Sequence, residues 1–156
     1  MVALVAACGA GGGDPSAKPD QGAALTHEQY QQAIQQIVGG ADAREATRLF
    51  TDAVATEYKG KECSTRVVAL QSHLRSVVER AAGLDAPPDA ADAQGAFVAA
   101  AQESVRLVGV AAADVASGKL TCGAVLNRRI YGMPSTRRAE AALTRLEKSG
   151  YVILGQ

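Results

Sequence analysis

The sequence predicts an all-α fold, an up-and-down helical bundle with a C-terminal helical pair. Two observations carry this. From Thr26 onward apolar residues recur at spacings of three and four, the signature of one buried helix face. The breaks between these stretches fall at Gly39-Gly40, Lys59-Gly60, Gly83, Ser117-Gly118 and Gly132-Met133-Pro134, which are helix-ending chemistry. Ala is abundant on the apolar faces, and small side chains let helix axes approach closely. At 156 residues the chain is long enough for one such domain.

The first helix is expected from Thr26, whose hydroxyl caps it while Gln29 reaches back, a capping box. Its stripe is Tyr30, Ala33, Ile34, Ile37 and Val38. Asp42 to Glu45 reads as a second capping box, opening a helix with the stripe Ala46, Leu49, Phe50, Ala53 and Val54 and an end near Lys59-Gly60. A third helix spans 64–82, with Val67, Leu70, Leu74, Val77 and Ala81 inward. Pro87-Pro88 forces an extended turn. The fourth spans 89–116 on Phe97, Ala101, Val105, Val108, Ala112 and Val115. A short helix within 120–131 and another over 135–149, buried through Ala139, Ala142, Leu143 and Leu146, form the C-terminal pair. Tyr151-Val152-Ile153-Leu154 is expected as a docked tail or a short edge strand.

Charge and composition narrow the function. The formal net charge is zero, which weighs against a whole-domain nucleic-acid binder. No apolar run near 20 residues stands out as a membrane span. No HExxH, CxxC, GxSxG, SxxK or phosphate-loop pattern occurs, so no catalytic residue, no metal site and no cofactor is expected. Asp85, Asp89 and Asp92 gather at the Pro-Pro turn, where carboxylates favour a helix start. The charge is unevenly placed. Residues 119–148 hold seven cations and two anions, a net +5, leaving −5 elsewhere. Arg128, Arg129, Arg137, Arg138 and Arg145 are the candidate polyanion-binding residues, with Glu140 and Arg137 spaced to pair locally.

The start of the chain carries an address. Val5-Ala6-Ala7-Cys8 follows an apolar stretch and precedes a tract rich in Gly, Pro, Ser and Asp. It resembles the lipobox of bacterial lipoproteins. The resemblance implies that residues 1–7 are the remnant of a signal peptide, that Cys8 carries a diacylglycerol, and that the protein sits lipid-anchored on the extracytoplasmic face of a cell membrane. Neither Lys nor Arg precedes Cys8, so the signal is expected to begin upstream of Met1. Residues 8–25 then read as a tether and 26–156 as the helical domain.

Acylation of Cys8 leaves Cys63 and Cys122, an even pair expected to form a disulfide in an oxidising compartment. If the third and fourth helices form an antiparallel hairpin, the residues after the fourth are long enough to return Cys122 to Cys63. The function expected is binding of another envelope component without catalysis: an anionic lipid, an envelope polymer or another envelope protein. A second resemblance implies something different. Leu126 to Leu143, then Leu146-Glu147-Lys148-Ser149-Gly150-Tyr151-Val152, is similar to the second half of a winged helix-turn-helix. It implies a cytosolic DNA-binding regulator with its recognition helix over 135–149, although Pro134 in the turn departs from the pattern.

Overall fold

A computed structural model describes residues 24–54, 58–118, 121–129 and 133–153. Among the described residues six helices follow one another: α1 (His27–Val38), α2 (Ala41–Val54), α3 (Gly60–Ala82), α4 (Pro88–Ala116), α5 (Cys122–Arg129) and α6 (Pro134–Lys148). The fold is all-α, a bundle of antiparallel neighbours with α5 and α6 as its C-terminal pair, and it contains a Cys63–Cys122 disulfide. Among the described residues no β-strand forms; one isolated antiparallel bridge joins Lys59 to Thr121. The lipobox and most of the tether lie outside the described residues.

The α3–α4 hairpin is the centre of the fold, with α2 against α3 and α6 against α4. The core runs along it in three zones. Near the disulfide, Ala53, Val67, Val108, Ala111, Val115, Val125 and Leu126 pack around Cys63 and Cys122. In the middle Ile37, Ala81, Phe97 and Ala142 meet. At the far end Tyr30, Ile34, Ala90, Leu146, Tyr151 and Ile153 close the bundle. The apolar stripes read from spacing supply most of these residues, because a 3.6-residue period fixes which side chains share a face.

Several boundaries differ from the sequence expectation. The Thr26 capping box forms on both sides: Gln29 N–H donates to Thr26 Oγ1 at 3.3 Å and Thr26 N–H donates to Gln29 Oε1 at 3.0 Å. The second box does not form. Arg44 N–H donates to the Gly40 carbonyl at 3.3 Å, which puts Gly40 at the cap. Asp42 instead pairs with Arg80 of α3 at 2.6 Å, and Glu45 pairs with Arg48 at 2.7 Å. A full charge on a neighbouring helix competes successfully for a carboxylate that would otherwise satisfy one backbone N–H. Gly60, expected as a stop, is the first residue of α3, so that helix starts four residues before Ser64 and includes Cys63. Proline opens both α4 and α6 at N1, where its missing N–H costs nothing.

The expectation that no run resembles a membrane span also needs correction. α4, with 29 residues and a mean hydropathy of 1.3 over an 18-residue window, is long and apolar enough to cross a membrane by length and composition alone. Asp89, Asp92, Glu103, Arg106 and Asp114 interrupt its Ala and Val, so no single unbroken apolar run of that length stands in the linear sequence. In this fold α4 is the central helix, packed by α3, α5 and α6.

Gly40 and Gly95 make opposite predictions. A Cβ on Gly40 would lie 2.4 Å from the Gln36 carbonyl oxygen, so Gly40→Ala must move backbone and is expected to cost about 1–3 kcal/mol. A Cβ on Gly95, inside α4 and exposed, meets nothing within 4 Å. Gly95→Ala is therefore expected to stabilise by about 0.5–1 kcal/mol through helix propensity. Urea unfolding of the two variants beside the parent checks both signs.

Candidate functional site

The disulfide end is locked by more than its sulfurs. Cys122 opens α5 and Cys63 lies in the first turn of α3; their Cα atoms are 5.4 Å apart and both residues are fully buried. Cys122 N–H donates to the Tyr58 carbonyl at 2.9 Å. The Arg66 guanidinium sits 3.9 Å from the Tyr58 ring centre, a cation–π contact, and pairs with Asp52 of α2. The return from α4 thus reaches Cys63 as the hairpin geometry predicts.

The basic segment spans two elements. Arg137, Arg138 and Arg145 are exposed on α6, and among the described residues none of them forms an ion pair. The expected Arg137–Glu140 pair is absent there, which leaves the guanidinium of Arg137 to solvent. Arg138 lies within the field of Glu103 on α4. Glu103 itself is held by a two-pronged contact with Arg106, whose hydrogen bonds keep the carboxyl below its usual range. Arg128 and Arg129 end α5, and their side chains are outside the described part, as is Lys119. The buried face of α6, with Ser135, Ala142 and Leu146, turns toward α4, where Ser104 Oγ donates to Ser135 Oγ at 2.9 Å. Tyr151 to Ile153, which the winged-helix resemblance would lead into a wing, is not a strand.

The acidic residues of the Pro-Pro turn do not converge. Asp89 accepts the Tyr151 hydroxyl at 3.0 Å, and among the described residues no group of three His, Cys, Asp or Glu is placed to hold a metal ion. A shallow cleft of about 380 Å³ lies beside Leu84, Asp85, Gln94 and Val98. Gln94 is buried there because its amide donates to the carbonyls of Ala81 and Leu84, at 2.9 and 2.8 Å. Ala81 lies in the last turn of α3 and Leu84 just beyond its Gly83 cap, so Gln94 ties the C-terminal end of α3 to α4.

At the opposite end the tail docks, one of the two forms expected for it, and the contacts it makes there with α1 leave no mark in the local spacing. His27 stacks on Tyr151 with ring centres 4.0 Å apart, and Tyr30 meets the same ring edge-on at 5.2 Å. Leu25 N–H donates to the Asp85 carbonyl at 2.8 Å, so the N-terminal segment joins the bundle here too. Burial pushes the Tyr30 phenol up to about 12, with the nearby Tyr151 adding to it. Burial, then the bond to Asp89, pushes the Tyr151 phenol up to about 12. A phenol raised above its unfolded value favours the fold while protonated. That contribution is complete below pH 10 and is lost as pH rises toward 12. Loss of the Tyr151–His27 end is therefore expected over this alkaline window, before the disulfide end. Tyrosinate absorbance measured alongside amide exchange at each end checks it.

No protein family, curated protein or solved structure matches the chain.

Proposed function

We propose that this protein is a lipid-anchored binding module of the extracytoplasmic face of a cell membrane, attached through Cys8, and that it acts by binding another envelope component, not by catalysis. The observation that carries the reading is the Cys63–Cys122 disulfide. A disulfide persists in an oxidising compartment, and this one accounts for two of the three cysteines, leaving the third as Cys8 in Val5-Ala6-Ala7-Cys8. Acyl chains on that sulfur would each contribute about 0.8 kcal/mol per buried CH₂, enough in combination for firm attachment. The exposed Arg137, Arg138 and Arg145, which form no ion pair among the described residues, support an anionic partner, lipid head group or envelope polymer, since cations close to such a surface contribute about 1 kcal/mol each.

The test is cell fractionation of the protein produced in its natural host, followed by intact mass with and without reductant. The expected product is in the membrane fraction, heavier than the polypeptide by its acyl groups, and gains hydrogen on reduction. A soluble, unacylated product with three free thiols would overturn the reading. In that case a gel shift with steep salt dependence would point to DNA binding instead.

A further inference from the structure

α6 carries its cations on one flank. A helix turns about 100° per residue, so Arg137, Lys148, Ala141, Arg145 and Arg138 fall in that order within an arc of about 100°. All five are exposed. The two acids of the helix, Glu140 and Glu147, lie outside the arc beyond Arg137, and the buried Ser135, Ala142 and Leu146 lie beyond Arg138. Among the described residues none of the four cations forms an ion pair, and Glu103, the acid near Arg138, is held by Arg106. The chain as a whole has a formal net charge of zero, so any attraction to an anion comes from a face and not from the molecule's total charge.

Helix stability accounts for only half of this pattern. Arg145 and Lys148 stand in the last turn, where a cation suits the negative end of the helix dipole. Arg137 and Arg138 stand near the other end, where the dipole disfavours a cation and the first turn holds no acid to offset it. The complement of these two guanidiniums is an anion outside the domain. The point where the chain enters the bundle says which one. Leu25 belongs to the same apolar zone as Leu143 and Leu146 of α6. The segment that follows Cys8 therefore joins the bundle beside the C-terminal half of α6. The backbone from Cys8 to Ala24 can span at most roughly 55 Å, against about 22 Å for the length of α6. All of α6 is thus within reach of a surface that holds Cys8, and the tether keeps that surface at high local concentration.

We propose that the flank formed by Arg137, Arg138, Arg145 and Lys148 rests on the anionic phospholipid surface in which Cys8 is anchored, so that the domain lies along α6 on its own membrane. This names the partner of the basic face and rests on the acylation of Cys8 proposed above. The only apolar side chain within the arc is Ala141. The contact is therefore electrostatic, at the depth of the head groups, with no side chain inserted among the acyl chains.

The test uses the full chain carrying Cys8→Ser, so that the face is measured without an acyl group on that sulfur. At about 0.05 M salt it is expected to sediment with vesicles of equimolar phosphatidylglycerol and phosphatidylcholine, and not with phosphatidylcholine alone. Adding Arg137→Gln, Arg138→Gln and Arg145→Gln should lower the partition coefficient about a hundredfold, at roughly a factor of five per cation. Arg44→Gln, Lys61→Gln and Arg75→Gln together remove the same charge from exposed positions elsewhere and should lower it less than about threefold. All the replaced side chains are exposed, so both triple variants should keep the parent's helical circular dichroism. Spin-labelled lipid in the anionic vesicles should broaden the amide signals of Arg137, Ala141 and Arg145 before those of α2, which does not touch α6. Equal losses in the two triple variants, equal binding to both kinds of vesicle, or binding to soluble polyphosphate without binding to vesicles would each overturn the proposal. Intact mass of the host-produced protein reads the anchor by itself, so a bare Cys8 and a failed vesicle result are told apart.

Discussion

Cys63→Ser and Cys122→Ser are each expected to destabilise the domain by about 4 kcal/mol, and the double variant by little more than either. The bond joins residues 59 apart in sequence, and closing a loop of that size removes entropy from the unfolded chain on this scale. For a domain of this length the loss corresponds to a fall in melting temperature of roughly 10 °C. Both sulfurs are in the zone formed by Ala53, Val67, Val115, Val125 and Leu126, so a lone serine there would also bury a hydroxyl among apolar groups. Non-additivity is the decisive part of the result, since the first substitution already breaks the bond. Thermal melts of the two single variants and the double variant read it directly. Additive losses would show that the sulfurs act separately.

Leu146→Ala is expected to cost about 3 kcal/mol in urea unfolding, with the slope unchanged. Leu146 is fully buried at the end of the bundle farthest from the disulfide, among Tyr30, Ile34, Ala90, Tyr151 and Ile153. Its carbonyl also accepts N–H bonds from Ser149 at 3.0 Å and Tyr151 at 3.1 Å, which turn the chain out of α6 toward α1. A cavity beneath Tyr151 removes support from the tail. Faster amide exchange at Val152 is therefore expected with the stability loss. Thr144→Ala, exposed on the same helix, should stay within about 0.5 kcal/mol and serves as the control.

The two ends of the bundle are held in different ways. The disulfide end is covalently closed and braced by Arg66, Tyr58 and Asp52. The opposite end is closed by three tail residues and by Leu25, through side chains and single hydrogen bonds.

The sequence by itself determined the helices and their inward faces. Tyr30, Ile34 and Ile37 on α1, or Val105, Val108, Ala112 and Val115 on α4, are buried because a fixed helical period repeats them on one side. It determined the Thr26–Gln29 cap too, since every atom of that cap lies within four residues. It also made the cysteine pairing feasible, because hairpin lengths limit where Cys122 can reach. Tertiary structure decided whatever depends on partners distant in sequence. Asp42 left its cap for Arg80, Gly60 became a helix start beside the Lys59–Thr121 bridge, and Arg137 formed no ion pair with Glu140. Whether 151–153 is a strand or a docked tail was settled by Gln31 and Gln35, more than a hundred residues away, which offer side-chain hydrogen bonds where a strand would offer backbone ones. Local spacing encodes periodicity and capping, whereas the choice among competing hydrogen-bond partners is made only when packing brings remote residues together.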